Sequence, residues 1–396
     1  MDYYLNITAK NFLETMFRHI KNAGEIKFPI DIENICTSTG IELCEFDGPN
    51  VTHEDAIKKK PGCVPPYGMT EMACYVAGKP HIYINRFMGE RFRRYSIGHG
   101  LFHLLRCGLE EKGESSFLEG KDAWITGEEM LANSFANGLL MPQPALEHMA
   151  GYLTIPELVE TFQVPLHRLL ARIFCVLDRC AICALYFNEK PFVFCLKPVM
   201  GKTGKSPETL NFSEVVRQLR RDRNYAAFIV DHEINFFPAT IIESGGQLDE
   251  LEALRANSPG KPGEIFADYI GFEPFRGWDV YGRDFELIEA EYFCHSFSFV
   301  EDDYLSAKKV KYDVVICIED HRKELLNMWV YGGQYPLIPP SCLYAKRFVS
   351  SPNPDEFAKE LLDSRINLKH WQDMLIKLIN QPSPFDDYDS KGEDHD

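Results

Sequence analysis

The apolar positions of this chain change period several times, and each change marks an element. Phe12, Leu13, Met16, Phe17 and Ile20 recur at helical spacing, which predicts an amphipathic helix over 8–23 that stops at Gly24. A shorter helix is expected over 31–39, after Pro29 and before Gly40. Ile41 to Cys44 then alternates as a strand, and 48–70 has Gly, Pro and charge without a period, as a loop does. Strands at 72–77 and 81–85 flank Gly78-Lys79-Pro80, a hairpin signal. The second strand leads into a helix whose core stripe is Ile97, Leu101, Leu104 and Leu105. A polar connection over 107–127 follows, then a helix with Leu131, Phe135 and Leu139 on one face, ended by Pro142. Thr154 and Glu157 form a capping box for a helix to about Phe162. Another helix follows Pro165 through Leu169, Leu170 and Ile173.

Beyond residue 180 the pattern turns to strands. They are expected at 185–187, 192–195, 226–230, 236–242, 278–281, 284–299 and 311–318. Residues 200–208 are a Gly/Lys-rich loop, and 213–222 a helix with Arg217, Arg220 and Arg221 on one face. Residues 244–263 are rich in Gly, Pro, Ser and charge and are expected to connect strands. Helices are expected at about 354–364 and 368–380, before an acidic disordered tail over 382–396. The whole is an α+β chain: one region over 1–180, a second mixed α+β region over 181–381, and the tail.

Composition narrows the function classes. A formal net charge of −17 argues against direct nucleic-acid binding, which relies on Lys and Arg neutralising phosphates. No apolar run approaches the roughly 20 residues needed to span a bilayer. The start, Met1-Asp2-Tyr3-Tyr4, lacks a secretory pattern, so a cytoplasmic protein is expected. The 12 cysteines are scattered through apolar stretches, as buried reduced thiols are.

The chemistry concentrates at Arg94-Tyr95-Ser96-Ile97-Gly98-His99-Gly100-Leu101-Phe102-His103. His99 and His103 are four residues apart, so both imidazoles lie on one helix face and reach one cation. Zinc peptidases use this spacing as H-E-x-x-H, with the glutamate as general base. Here Gly100 stands at that position. Phe102 shares the face of the histidines and is expected to line the space beside a bound metal. In the next helix, Glu129 begins a row of small residues (Ala132, Asn133, Ala136) that lets another helix come close. A carboxylate there can reach across, and two histidines with one carboxylate make a catalytic zinc set. In isolation the two histidines read better as structural polar residues than as ligands.

The first 180 residues resemble the ImmA/IrrE family of metallopeptidase-like proteins. The matching pieces, in family order, are Pro29-Ile30-Asp31 to Gly40-Ile41, Gly78-Lys79-Pro80-His81-Ile82-Tyr83-Ile84-Asn85 and Arg94-Tyr95-Ser96 before the histidine helix. Glu129-x-x-Ala132-Asn133, Leu139-Leu140-Met141-Pro142 and Phe162-Gln163-Val164 follow. The resemblance implies a zincin-like fold, a small sheet packed on helices, with His99, His103 and Glu129 as ligands of one zinc ion. Manganese and iron remain alternatives for such a set. It also implies a protein partner, since family members include peptidases that act on helix-turn-helix repressors, and some relatives carry a GAF-like sensor domain after the peptidase domain. The departures are Gly100 for the glutamate, Phe102 for a small residue and Gly98 for alanine. General acid–base help contributes about 10²–10⁴-fold, so its loss points to a degenerate site. Glu128 lies about 100° around its helix from Glu129, and Glu110 about two turns past His103, so neither replaces the missing base.

Four other motifs carry less. Gly204-Lys205-Ser206 resembles the end of a phosphate loop, but Val199 replaces its first glycine and Pro207 removes an amide. Cys180 and Cys183 have ligand spacing without a second pair, which suits buried thiols. His232-Glu233 reads as exposed polar residues at a strand end. The helices around Pro165 resemble a helix-turn-helix, yet Arg168 and Arg172 alone make no basic recognition face, and two packing helices are expected. The expected function is a zinc-binding regulatory protein with a degenerate peptidase site that recognises a protein partner such as a helix-turn-helix repressor. The alternative is an active zinc endopeptidase that cleaves such a repressor with a base the motif does not display.

Overall fold

Asp31 opens helix α1 (Ile32–Ser38) by accepting a hydrogen bond from the Asn34 amide at 3.0 Å. Gly40, at φ +79°, reverses the chain, and the Ile41 amide returns to the Cys36 carbonyl at 2.9 Å. Strand β1 (Glu42–Phe46) follows. Strands β2 (Glu71–Val76) and β3 (Lys79–Asn85) form the expected hairpin, with Gly78 at φ +78° in its turn. β3 lies in the middle of a three-stranded sheet, parallel to β1 and antiparallel to β2. This computed structural model describes residues 27–48, 71–76, 78–109, 127–150, 153–176, 181–187, 190–197, 226–230, 236–243, 245–258, 265–272, 275–279, 284–287, 290–303 and 308–319, with a few single positions beyond them. The expected helices at 8–23, 213–222 and 354–364, the loop at 48–70 and the acidic tail lie wholly or mostly outside the described residues.

Helix α2 (Glu90–Leu109) carries the histidines and lies on the sheet. Its stripe of Ile97, Leu101, Leu104 and Leu105 is buried as expected. Helix α3 (Gly127–Leu140) packs on the other side of it. A Cβ placed on Gly98 would lie 3.4 Å from that of Ala136, so the small residues of the two helices do let them close up. The Tyr95 hydroxyl reaches the Asn133 carbonyl at 3.1 Å and ties the pair together. Pro142 ends α3, but it also precedes an unexpected helix, α4 (Gln143–Ala150). Pro144 sits in the first turn of α4, where no intrahelical N–H bond is lost.

The capping box is present in both directions. The Thr154 amide donates to Glu157 Oε2 at 2.7 Å, and the Glu157 amide to Thr154 Oγ1 at 3.5 Å. It opens α5 (Ile155–Phe162), which ends at Gln163 with φ 51° before α6 (Leu166–Val176).

The second half builds a nine-stranded sheet, ordered β10-β9-β7-β6-β5-β4-β12-β11-β8. Its strands are β4 (Ala181–Phe187), β5 (Lys190–Lys197), β6 (Ala226–Val230), β7 (Phe236–Glu243), β8 (Ile265–Phe272), β9 (Phe275–Asp279), β10 (Asp284–Leu287), β11 (Ala290–Asp302) and β12 (Lys309–Glu319). The mixed α+β class holds. Two expectations do not. Residues 245–256, taken for a connection, form helix α7 (Gly245–Ala256), because Leu251 and Leu254 are buried between flanks whose Gly, Ser and Pro hid their spacing. The single strand expected over 284–299 is two, β10 pairing with β9 and β11 with β12 and β8. Strand β8 was also not anticipated.

One apolar cluster runs from α2 and α3 through α5 and α6 to Phe297, Phe299, Val310, Val314 and Ile316 of the large sheet. At that seam Glu301 of β11 accepts the Leu166 amide at 3.1 Å, capping α6 from outside its own chain segment. Arg91 of α2 pairs with Glu160 of α5 and lies over the Phe299 ring, 5.6 Å from its centroid. Burial raises the Glu301 carboxyl from 4.5 to about 7, against the lowering effect of the Leu166 amide and of Arg91.

The native state therefore holds a proton on Glu301 where the unfolded chain has released it. Its contribution to stability is full below pH 4.5 and is lost as pH rises through about 7. Urea unfolding of the native chain and Glu301→Gln should diverge over this window. The variant gains on the native chain by on the order of 3 kcal/mol as pH rises from about 5 to about 8. Parallel stability curves would remove Glu301 as the titrating group.

Candidate metal centre

The four-residue spacing on α2 stacks His99 and His103 with ring centroids 4.9 Å apart, edge to face. Glu129 stands in the first turn of α3 and spans both rings. Its Oε2 lies 3.2 Å from His99 Nε2, and its Oε1 lies 3.3 Å from His103 Nε2. One donor atom from each of the three residues falls within 4.8 Å of the others, a group that could hold a metal ion. The structure thus brings together the three residues that the sequence singled out.

A fourth residue completes the arrangement. Glu71, at the start of β2, places Oε1 2.6 Å from His99 Nδ1, and both side chains are only 10% exposed. A carboxylate only accepts, so Nδ1–H donates to Glu71 and Nε2 is turned towards Glu129. Histidine ligands of metals are held in this way, through the ring nitrogen that faces away from the ion. Without a cation, Nε2 must also donate, which requires the charged ring. Burial alone would lower the His99 pKa, but Glu71 and Glu129 overcome it and raise it. Burial alone would raise Glu129, yet the two imidazoles hold it well below the ordinary carboxylate range. A divalent cation would take the place of those protons, which suits a donor set of two imidazoles and one carboxylate.

Glu71 was missed in the sequence because the hairpin strand seemed to begin at Met72. The available signal was its register. Glu71 pairs with Ile84 and Ala73 with Ile82, so a carboxylate sits on the strand face that meets the histidine helix.

Gly100 is where the site departs from a peptidase. A Cβ there would come within 3.2 Å of Ile82 Cγ2 and 3.7 Å of Ala73 Cβ. The backbone of α2 is pressed onto β3 and β2 at the position that carries the glutamate of H-E-x-x-H enzymes. Phe102 is fully buried. Its ring meets His103 edge-on at 5.9 Å and Phe135 of α3 at 5.9 Å, so it forms the apolar wall behind one ligand.

Cys183 is buried in β4, while Cys180, Gly204 to Ser206, His232, Glu233 and Glu110 lie outside the described residues. Arg168 of α6 lies over the Tyr95 ring, 4.5 Å from its centroid, and the buried Arg172 donates to the Met141 carbonyl at 3.2 Å. The arginines of the helix pair are thus used in packing, as expected. Arg106 donates to the Ile379 carbonyl at 2.8 Å, so a C-terminal stretch reaches the end of the histidine helix.

No protein-family model matches the chain, and no curated protein matches it. Among solved structures it is similar to a Mycobacterium tuberculosis transcriptional regulator, with 12% identity, over 86% of this chain and 90% of that one, at a TM-score of 0.38. A likeness that distant carries no functional argument. Among the described residues, no helix is long and apolar enough to cross a membrane.

Glu71→Gln keeps the shape of the carboxylate and removes its charge. Metal affinity should fall about 10–100-fold, measured by competition with a chelator. Unchanged affinity would show that Glu71 does not orient His99.

Proposed function

We propose that residues 1–180 form a zincin-like domain of ImmA/IrrE type that binds one zinc ion and serves as a regulatory, partner-recognising module. His99, His103 and Glu129 would hold the ion, and Glu71 would orient His99. Zinc in such a set lowers the pKa of a bound water and polarises a carbonyl. Efficient cleavage also needs a carboxylate to move the water's proton, and the packing at Gly100 is the observation that speaks against one at this position. A Cβ there would come within 3.2 Å of Ile82 Cγ2, so Ile82 must give by a few tenths of an ångström to admit a side chain. Glu71 does not take over this role, because its near oxygen is held on the His99 nitrogen turned away from Glu129.

The recognised partner is a protein, with a helix-turn-helix repressor as the first candidate. Strand β2 offers it a landing place. Among the described residues β2 pairs only with β3, and Tyr75 and Val76 near its end are 40% and 44% exposed. An extended partner segment added to that edge would run past Glu71 towards the histidines.

Metal analysis of the purified chain should find zinc, and His103→Ala should remove about one equivalent per chain. Loss of nothing in that variant would leave the helix pair as scaffold only. Incubation with a repressor encoded nearby should give a stoichiometric complex without fragments. Metal-dependent fragments at catalytic amounts of the protein would instead establish a working endopeptidase. Gly100→Glu should gain no cleavage and lose about 1–3 kcal/mol of stability in chemical denaturation, the usual cost of overpacking.

A further inference from the structure

The sheet that supports the histidine helix has a second face. Residues 43, 45, 71, 73, 82 and 84 point towards the helices, so the pairing register puts Glu42, Cys44, Cys74, His81 and Tyr83 together on the other side. Glu42 is opposite His81 and Cys44 opposite Tyr83 across the β1–β3 pair, while Cys74 is opposite His81 across the β2–β3 pair.

Two of these side chains, Glu42 and Cys44, converge there on one atom of a third, His81 Nδ1. His81 Nδ1 lies 3.7 Å from Glu42 Oε2 and 3.9 Å from Cys44 Sγ. The carboxylate is too far for a good hydrogen bond, and a single ring nitrogen cannot serve both neighbours. Ligand atoms on one tetrahedral zinc sit roughly 3.3–3.6 Å apart, given bonds of about 2.0–2.3 Å. The observed separations are a few tenths of an ångström from that geometry. His81 is 9% exposed and stacked on Tyr83 at 6.0 Å, so its ring is held in place, while the Glu42 side chain is 64% exposed and leaves the group open to solution. The donor atoms of Glu42, Cys44 and His81 all fall within 4.8 Å.

We propose that Glu42, Cys44 and His81 form a second divalent-cation site of zinc type on the outer face of the three-stranded sheet, with the fourth position left to solvent. Thiolate, imidazole and carboxylate together select zinc-like ions over calcium or magnesium, which take oxygen ligands. The site contains no residue of the His99 centre and stands whether or not that centre binds metal. Its ligands come from β1 and β3, so occupancy clamps that parallel pair in register.

Cobalt separates the two sites without any activity assay. A thiolate ligand gives cobalt an intense charge-transfer absorption in the near ultraviolet, and the two imidazoles and carboxylate of the His99 centre give none. The full chain, kept reduced, should develop this band on cobalt titration and lose it when zinc is added. Cys44→Ser and His81→Gln should each abolish it, with folding checked by far-ultraviolet circular dichroism, and His103→Ala should leave it intact. No band at saturating cobalt, or a band that survives both Cys44→Ser and His81→Gln, overturns the site. If Cys44→Ser does not fold, His81→Gln decides alone, since its test is the same band.

Discussion

Helix α2 is clamped from both sides, and the clamp depends on two glycines. Gly98 lets α3 approach until Ala136 fills the groove, and Gly100 lets the sheet approach until Ile82 and Ala73 do the same. Each glycine weakens the helix by about 1 kcal/mol relative to alanine, a cost offset by close packing on a helix with fully buried Ile97 and Leu101. The closeness is also what makes the centre. Glu129 spans both imidazoles because α3 lies near enough, and Glu71 reaches His99 because β2 does. The bare backbone at Gly100 thus belongs to the same packing that draws His99, His103, Glu129 and Glu71 together.

His99 sits at the centre of this arrangement, between carboxylates on two different elements. In a site nine-tenths buried, two negative groups flanking one ring are stable only if positive charge stands between them. The charged ring supplies it in the absence of a cation, and a metal ion would supply it otherwise. A histidine kept only for structure would not need the second carboxylate. The neighbouring Phe102 and Phe135 exclude water on one side of His103 and raise the value of every charge–charge contact nearby.

What the sequence disclosed follows how local each interaction is. The two histidines lie on one helix at a fixed spacing, and the capping box at Thr154 spans four residues, so both could be read directly. Glu129 was legible because it heads a row of small residues, which marks a close helix–helix contact. Glu71 was not, since its role depends on the hairpin register and on how the hairpin meets α2. The meeting of Cys44 with His81 was hidden for a stronger reason: β1 and β3 are parallel and joined through a long segment, and no turn sets their register. Helix α7 was masked by composition, because the Gly, Ser and Pro at its ends outweigh two buried leucines in a short window.

Glu301 shows that the two halves of the chain are not independent. The end of a helix needs acceptors for its free amides, and α6 finds one on a strand of the large sheet, 135 residues further along. The carboxyl is buried and interacts with Tyr312, so it gains little from solvent, and Arg91 of the histidine helix is the cation that acts on it, against the adjacent Asp302. The same Arg91 pairs with Glu160 and covers Phe299. A change of charge at Glu301 is therefore felt at the first turn of the helix that carries His99 and His103. The seam around β11 and the first turn of α2 thus share one cation, Arg91, while Gly98 and Gly100 let the histidine turns pack against α3 and the sheet.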